Sequence, residues 1–293
     1  MQNTITNSIT SQKSGLKSQN NNNVIFFQSL EKRLNKIFKD EMKSSNSIFE
    51  YVSDNAIHKM ALFLSGCKTR ACAIGIAGET ASGKSTITLD IIDTLETFAR
   101  EYCIQNLITR INTDDYYYDR SAMVKAAGSF AEFAKNYDLD VPEALELELM
   151  KQHIKSLSDG EIVYLPKYDM SGTAIRKDNV TRTIPSKIII SEGLFTLTDK
   201  VIDAFDFKIY VDVSCEVQKE RFYRRAEERG LGSSADGVYL NAASKAKIHI
   251  HPTKEKADII LSGEADREAY KEFIKKVLAI VKETYFNSVL MYS

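Results

Sequence analysis

The feature of the sequence that most constrains its fold is a glycine-rich segment, Gly78-Glu-Thr-Ala-Ser-Gly83-Lys84-Ser85. It fits the pattern G-x-x-x-x-G-K-[ST], in which the glycines let the backbone turn tightly and approach phosphate oxygens. Successive N–H groups and a helix N-terminus form an anion cradle, Lys84 can reach the β- and γ-phosphates, and the Ser85 hydroxyl can bind Mg²⁺. The residues predicted to contact a nucleotide here are Gly78, Thr80, Ala81, Ser82, Gly83, Lys84, Ser85 and Thr86.

An ordinary glycine turn is the alternative interpretation of this segment. A strand-like apolar run over residues 72–77 precedes it, and a helical periodicity over residues 85–99 follows it. This is the context that a phosphate-binding loop requires. Glu79 is unusual, because it places an acid inside a loop that binds anions, where its charge could weaken nucleotide affinity. We expect its side chain to point outward.

Strand-like and helical segments alternate along the rest of the chain. The predicted strands are residues 72–77, 107–112, 187–190, 207–213 and 257–261, and the predicted helices are residues 85–99, 143–157, 216–229 and 265–285. Residues 161–165 and 179–184 are strand-like and could pair as a small ribbon. Short Val- and Ile-rich strands between helices are typical of a mostly parallel sheet covered on both faces. The predicted fold class is therefore α/β.

The N-terminal part of the chain differs from this pattern. Residues 1–23 have too few apolar residues to offset the entropy of ordering, so they are predicted to be a disordered tail. Two apolar stripes at helical spacing follow, Leu30, Leu34, Ile37 and Phe38 in the first and Ile48, Val52, Ile57, Met60, Ala61 and Leu64 in the second. The predicted organisation is a helical extension over residues 24–66 and a nucleotide-binding domain over residues 67–293, with the extension packed on the domain or, less favoured, used for dimerisation.

Composition excludes several classes of protein. Lys and Arg total 39 against 40 Asp and Glu, so the formal net charge of −1 excludes a globally basic nucleic-acid binder. The four cysteines show no CxxC spacing and are expected to be reduced thiols of a cytoplasmic protein. No apolar run approaches the ~20 residues that a membrane helix needs, so no membrane partner is predicted.

Acidic side chains follow two of the predicted strands. Asp114 and Asp115 come after residues 107–112, and Glu192 comes after residues 187–190. Ligands gather at the carboxyl ends of parallel strands, where one carboxylate can accept a proton from an attacking hydroxyl and another can bind Mg²⁺ or its waters. The alternative is that each acid only caps a turn, and two acids after two strands make that less favoured.

Arginines recur on one predicted helix. Arg221 and Arg225 are four residues apart and Arg229 is four further on, so one face carries three guanidinium groups, while Arg224 should point elsewhere. Such charge stabilises the transition state of phosphoryl transfer. A solvated helix face, neutralised by neighbouring glutamates, is the alternative.

Over roughly residues 70–280 the sequence resembles the uridine kinase and phosphoribulokinase family. The stretches that carry the resemblance, in order, are the loop at residues 78–86, Thr113-Asp-Asp-Tyr-Tyr, Asn136-Tyr-Asp with Pro142-Glu-Ala, Leu165-Pro-Lys-Tyr-Asp169, Ile189-Ile-Ser-Glu-Gly193, residues 207–212, Glu228-Arg-Gly230, Pro252-Thr-Lys and Ala257-Asp-Ile-Ile260. Uridine–cytidine kinases are the most similar branch, because the Pro-x-Tyr-Asp turn, the Glu-Arg-Gly end of the lid and the Pro-Thr-Lys segment all recur.

The resemblance implies a role for each matching position. Asp114 is the implied catalytic base, Lys84 and Arg225 are the implied catalytic cations, and Ser85 and Glu192 are the implied Mg²⁺ ligands. The implied contacts to ATP outside the loop are Arg221, Arg229, Thr253 and Lys254. The implied acceptor-binding residues are Tyr117, Glu143, Tyr168, Asp169, Thr173 and Arg176, with Glu143 holding ribose hydroxyls.

The implied activity is transfer of the γ-phosphate of ATP, with Mg²⁺, to the 5′-hydroxyl of uridine or cytidine. One departure bears on the acceptor, because Thr173 stands where uridine kinases carry a histidine that helps read the pyrimidine. The open alternatives are another hydroxyl acceptor (a sugar phosphate such as ribulose 5-phosphate, pantothenate or another nucleoside) and a non-catalytic nucleotide-binding regulatory module. A GTP switch is disfavoured, because the sequence has no Asn-Lys-x-Asp motif. The predicted partner is a small-molecule acceptor, and a homo-oligomer is left open.

Overall fold

The computed structural model describes residues 24–66 and 70–290, except for the side chains of residues 285–290. The helices are residues 24–42 (α1), Asp54–Leu64 (α2), Lys84–Glu101 (α3), Ser121–Ala127 (α4), Phe130–Ala134 (α5), Leu147–Ser158 (α6), Cys215–Glu228 (α7), Ala235–His249 (α8) and Arg267–Leu290 (α9). The strands are Phe49–Val52 (β1), Cys72–Gly78 (β2), Ile108–Asn112 (β3), Val163–Tyr168 (β4), Arg176–Thr183 (β5), Ile188–Glu192 (β6), Phe207–Asp212 (β7) and Ile259–Ser262 (β8). The predicted tail, residues 1–23, lies outside the described residues.

A six-stranded sheet in the order β1-β8-β7-β2-β6-β3 organises the molecule. Its strands are parallel except for β1, which is antiparallel to β8. The predicted mostly parallel α/β sheet is therefore confirmed. Strands β4 and β5 form a separate antiparallel ribbon, which confirms the predicted pairing with bounds shifted by a few residues.

Successive side chains of the central strands point to opposite faces of the sheet and pack into two apolar layers. On β6, Ile189 packs in a cluster with Met150 and Ile154 of α6. Its neighbours Ile188 and Ile190 pack in a second cluster, on the opposite face, to which α1, α2, α3 and α9 contribute. Because both faces are covered, the strands read as continuous apolar runs in the sequence.

The prediction of one helix from Ile48 through Val52 to Gly66 is wrong in its first part. Residues Phe49–Val52 form β1, the edge strand beside β8, and the helix begins only at Asp54, with Ser53 as its N-cap. A short apolar pattern fits either a helix or a strand. The unpaired backbone groups along the edge of β8 decide between them, because β1 satisfies those groups.

The helix predicted over residues 143–157 begins later, at Leu147. Pro142–Ala144 is a single 3₁₀ turn and Leu145 is extended. The backbone here pairs with the segment after β3, since the Tyr118 N–H donates to the Ala144 carbonyl at 3.1 Å. This long-range pairing overrides the local preference for a helix that begins at proline.

Helix α8 was not predicted from the sequence. Its buried residues are only Ala235 and Ala246, so it lacks the stripe of large apolar side chains by which a surface helix is recognised. Among the described residues, no helix has the length and apolar character needed to cross a lipid bilayer.

The N-terminal segment contributes to the core of the sheet. The Phe49 ring lies 5.1 Å from that of Phe38 and 4.9 Å from that of Phe273 on α9, measured between centroids. Residues 24–66 therefore share one apolar layer with the sheet. Their predicted boundary with the following domain falls at residues 67–69, outside the described part.

Replacing Phe49 with alanine tests this packing. Phe49→Ala removes the two ring contacts and leaves a cavity, so the free energy of unfolding should fall by about 3 kcal/mol in urea denaturation. Tyr51→Ala on the same strand is the matched control, because Tyr51 is 46% exposed, and it should cost under about 1 kcal/mol. Equal effects of the two changes would contradict a core role for β1.

Candidate active site

The phosphate-loop segment and two of the predicted acids meet at one edge of the sheet. Strand β2 runs into the loop at Gly78, and its residue Ile76 is level with Glu192 on β6. Asn112, the last residue of β3, is level with Glu192 from the other side. The parallel register thus brings the carboxyl ends of three strands together, as predicted.

The loop is shaped by its glycines and by one half-buried lysine. Gly83 has φ +95° and precedes the first residue of α3, Lys84, so only a residue without a Cβ fits this turn without strain. The Lys84 ammonium bends back and donates to the Glu79 carbonyl at 3.2 Å. Burial lowers the pKa of Lys84, while Glu192 and Asp114 act in the opposite direction.

Glu192 links the loop to the neighbouring strand. Its side chain is buried and accepts from Ser85 Oγ at 3.1 Å and from Arg110 Nη2 at 2.8 Å. The next residue must be small, because a Cβ on Gly193 would lie 2.5 Å from the Thr113 Cβ. This close approach lets the segment that carries Asp114 sit against the end of β6.

Asp114 lies in the 3₁₀ turn Thr113–Tyr116 that follows β3. Burial raises its pKa, and Glu192 and Asp115 add to the rise while Lys84 opposes it. The adjacent Asp115 is engaged in structure, because its Oδ1 accepts from the Tyr168 N–H at 3.2 Å and pairs with Lys167 Nζ at 3.1 Å. Asp115 therefore anchors the β4–β5 ribbon beside the site.

The donor set at the loop fits a magnesium ion. Ser85 Oγ and a carboxylate oxygen of Glu192 are neighbours. Hard oxygen ligands suit Mg²⁺, which keeps several waters and needs one or two protein ligands beside substrate phosphates. Ser85 and Glu192 are the residues that would hold it, and the bound ion would neutralise charge on the phosphate oxygens.

Helix α7 is fastened to the loop by bonds to backbone carbonyls. Gln218 is buried and donates to the Thr80 carbonyl at 3.0 Å, and Arg221 donates to the Gly263 carbonyl at 2.9 Å. Gln218 was not singled out in the sequence, where it is one polar residue among many on a charged helix. These bonds fix the direction in which the arginines of α7 point.

An open cavity of about 350 Å³ lies between the loop and α7. Its lining includes Ala81, Gly83 and Thr86 from the loop side and Arg221, Arg224 and Arg225 from α7. The prediction that Arg224 points elsewhere is wrong, since it lines the same cavity as its neighbours. Three arginines of α7 thus border one space beside the phosphate loop, together with Arg267 of α9 and the acid Glu228.

A second cavity, of about 170 Å³, shares the lining residue Arg225 with the first. It is lined by Thr80, Arg229 and Asp140 and by residues of α8 such as Lys245. Burial raises the pKa of Asp140, which accepts from Asn241 Nδ2 at 3.2 Å.

Asp138, two residues earlier, pairs with Lys245 at 2.6 Å. Asp138 belongs to the sequence motif Asn136-Tyr-Asp, which was identified from the sequence. The helix that faces it, α8, was not predicted.

Aromatic residues form a wall next to these acids. The Tyr117 and Tyr168 rings are 5.3 Å apart between centroids, and the Tyr117 hydroxyl donates to the Leu139 carbonyl at 3.2 Å. Burial raises the pKa of Tyr117 well above its ordinary value of 10.0. Arg176 is held nearby by an ion pair with Glu146 and donates to the Tyr117 carbonyl at 3.5 Å.

Several predicted binding residues are placed differently. Glu143 is exposed and pairs with Lys200 at 3.1 Å, so it does not line either cavity. Asp169 and Thr173 lie in the exposed turn of the ribbon, where the Thr173 hydroxyl donates to Asp169 Oδ2 at 2.5 Å. Both polar side chains are satisfied within their own turn, and their contacts with an acceptor stay a prediction.

Thr253 and Lys254, which are expected near the nucleotide base, both bind other residues of the protein. The Thr253 hydroxyl is buried and donates to the Ile250 carbonyl at 2.7 Å. Lys254 forms an ion pair with Asp212 and lies 3.7 Å from Glu50 of β1. The segment therefore holds the ends of β7 and β1 together through Lys254, and its contact with a nucleotide stays a prediction.

Comparisons with known proteins show which family the sequence matches. The model of the phosphoribulokinase/uridine kinase family matches residues 73–269. The chain is 35% identical over 217 residues to a protein named uridine kinase from Halobacterium salinarum, covering 72% of this chain and 88% of that protein. It is also 35% identical over 220 residues to a uridine kinase from Clostridium botulinum, covering 73% of this chain and 99% of that protein. Among solved structures, phosphoribulokinase from Rhodobacter spheroides superposes with a TM-score of 0.47 at 16% identity, covering 67% of this chain and 71% of that one.

Gly263 packs against the backbone of the phosphate loop at Ser82, and a larger residue here should displace the loop. A Cβ at this position would overlap the Ser82 carbonyl oxygen and lie 2.8 Å from the Asp212 carbonyl oxygen. Because both are backbone atoms that cannot turn aside, Gly263→Ala should lower the free energy of unfolding by about 1–3 kcal/mol. Gly237→Ala in α8, where nothing lies within 4 Å of the new Cβ, should instead stabilise by up to about 1 kcal/mol. Urea denaturation of both variants checks the pair, and the same sign for both would contradict the proposed support.

Proposed function

Because the chain belongs to the phosphoribulokinase/uridine kinase family, we propose that it transfers the γ-phosphate of ATP, with Mg²⁺, to the 5′-hydroxyl of a pyrimidine nucleoside, uridine or cytidine. The observation that carries the proposal is that Arg225 lines two cavities, one beside the phosphate loop and one that also contains Asp140, Arg229 and Lys245 in its lining. Two cavities that share one arginine suit an enzyme that brings a phosphate donor and a hydroxylated acceptor together. The names of the two curated relatives support the choice of acceptor.

The cavity of about 350 Å³ is the proposed site of the ATP phosphates. The loop N–H groups, the N-terminus of α3 and Lys84 supply the donors and positive charge that phosphate oxygens need. Arg221 is partly committed to the Gly263 carbonyl, whereas no such bond to a backbone oxygen is described for Arg225. Arg225 is therefore the proposed guanidinium that stabilises charge on the transferred phosphoryl group.

Asp114 is the proposed general base. A base needs a position within reach of the acceptor hydroxyl and a pKa near the working pH. Burial moves the pKa of Asp114 in that direction, and the nearby charge of Lys84 opposes the rise. The neighbouring Asp115 is held by the ribbon backbone, so it is not the proposed base.

The cavity of about 170 Å³ is the proposed entrance for the acceptor. Asp140 and Asp138, rather than Glu143, are the proposed partners of the ribose hydroxyls, because Asp140 lines this cavity and Glu143 does not. The rings of Tyr117 and Tyr168 offer an apolar wall for a base. The ion pair of Arg176 with Glu146 is proposed to hold that wall in place.

A substrate screen tests the acceptor. ATP consumption should be measured with uridine, cytidine, 2′-deoxyuridine, ribulose 5-phosphate and pantothenate under identical conditions. We expect turnover of uridine and cytidine and poor turnover of deoxyuridine, because a missing 2′-hydroxyl removes a hydrogen bond to a half-buried acid. Turnover of ribulose 5-phosphate or pantothenate without any nucleoside would replace the proposed acceptor and keep phosphoryl transfer. No ATP consumption with any acceptor would favour a non-catalytic regulatory module.

Asp114→Asn tests the base. The amide keeps the shape but cannot accept the proton, so kcat should fall by roughly 10²–10⁴ while ATP affinity changes little. In the wild type, kcat/KM should be full above the pKa of Asp114 and decline as the pH falls through it. Because burial raises that pKa above its ordinary 3.8, the decline should begin at a higher pH than for an exposed aspartate.

Asp115→Asn is the matched control. It weakens the anchor of the ribbon, so it should raise the KM for the acceptor and lower kcat far less than Asp114→Asn does. If the two variants lose kcat equally, or if Asp114→Asn loses only ATP affinity, Asp114 is not the base.

A further inference from the structure

The acid inside the phosphate loop has a specific partner. Glu79 Oε1 contacts Nε2 of His251, the first residue of the 3₁₀ turn His251–Lys256 that follows α8. These residues are 172 positions apart in the sequence, so the pair exists only in the folded chain. The Glu79 side chain is therefore directed toward the turn that follows α8.

Glu79 is an integral part of the anion cradle. Its carbonyl oxygen accepts from both Lys84 Nζ and the Ser82 N–H, each at 3.2 Å. Its side chain is only 19% exposed, so water screens its charge incompletely. A negative charge fixed here opposes the binding of a triphosphate in the same loop.

The charged and titratable groups that sense Glu79 come from several elements. They are Lys84 at the start of α3, Tyr210 on β7 and Tyr239 on α8. Among these groups and His251, the two tyrosines carry no positive charge, and Lys84 is already required for the phosphates. His251 is therefore the group that can hold the Glu79 carboxylate by a hydrogen bond, and offset its charge when the imidazole is protonated, without being withdrawn from the nucleotide.

We propose that His251 is a positioning residue for the phosphate donor: it draws the Glu79 carboxylate away from the phosphate cradle and offsets its charge, so that the loop accepts ATP·Mg²⁺ in spite of the acid. This inference rests on the proposed function, because it takes ATP as the ligand of the loop. The alternative is that the Glu79–His251 pair only ties the loop to the turn after α8. In that case ATP binding would weaken whichever of the two side chains was removed.

Three variants separate charge compensation from tethering. His251→Ala leaves the acid uncompensated, Glu79→Gln removes the charge but keeps a hydrogen-bonding side chain, and the double variant combines them. Binding of ATP·Mg²⁺ should be measured by titration calorimetry, and the KM for ATP and kcat by a coupled assay. We expect His251→Ala to weaken ATP binding roughly tenfold with kcat at saturating ATP nearly unchanged, because an exposed histidine offsets only part of the charge.

The decisive result is the rescue. Glu79→Gln should bind ATP as well as the wild type or more tightly, and the double variant should bind within about twofold of Glu79→Gln, because without the acid there is no charge to offset. A double variant as weak as His251→Ala, or Glu79→Gln as weak as His251→Ala, would overturn charge compensation in favour of a tether. Unchanged ATP binding in His251→Ala would also overturn it.

A matched control and a fold check complete the design. His58 makes the same type of pair with Glu31 at 2.7 Å on the N-terminal helices, and His58→Ala should leave ATP binding unchanged. His251→Gln serves as a second variant if His251→Ala fails to fold, and it should show the same loss and the same rescue by Glu79→Gln. Wild-type protein that binds no ATP would overturn the proposed function itself, whereas wild-type binding with an unaffected His251→Ala overturns only this inference.

Discussion

The buried carboxylate of Glu192 is the interaction on which the arrangement of the site depends. A carboxylate removed from water costs several kcal/mol unless it is paired and hydrogen-bonded. Glu192 meets that requirement with Ser85 from α3 and Arg110 from β3. One charge thus fixes the helix that follows the phosphate loop against two neighbouring strands, and the position of Asp114 relative to Lys84 follows from it.

The elements outside the sheet are fixed in a different way, through the backbone. Gln218 of α7 and the N–H of Tyr168 in the ribbon each form a bond in which one partner is a main-chain group. A main-chain partner has little freedom to move, so such bonds define direction as well as contact. Phosphoryl transfer depends on positioning and electrostatics more than on covalent catalysis, and these bonds hold α7 against the loop and the ribbon against the turn that carries Asp114 and Asp115.

How much of the fold could be predicted depends on how local the signals are. Residues 72–77 were predicted correctly as a strand, because a parallel strand buried on both faces is apolar throughout. Strand β1 was not, since its four residues fit a helix equally well and only the open edge of β8 makes them a strand. Helix α8 was missed for the opposite reason, because a helix that buries two alanines has no stripe to detect.

The sequence by itself determined the phosphate loop, the parallel α/β sheet, the family and the acid after each of two strands, because these features are written in short segments whose chemistry needs no distant partner. Only the tertiary structure decided which acids face a cavity and which are committed elsewhere. Glu143 and Asp140 are three residues apart, yet the first pairs with Lys200 on the surface and the second lines the cavity beside Arg225. The same holds for Glu79: the sequence shows an acid in the phosphate loop, and only the fold shows that its carboxylate contacts His251. The physical reason is that the environment of a charged side chain is set by neighbours that the chain brings in from far along the sequence, and no local pattern encodes them.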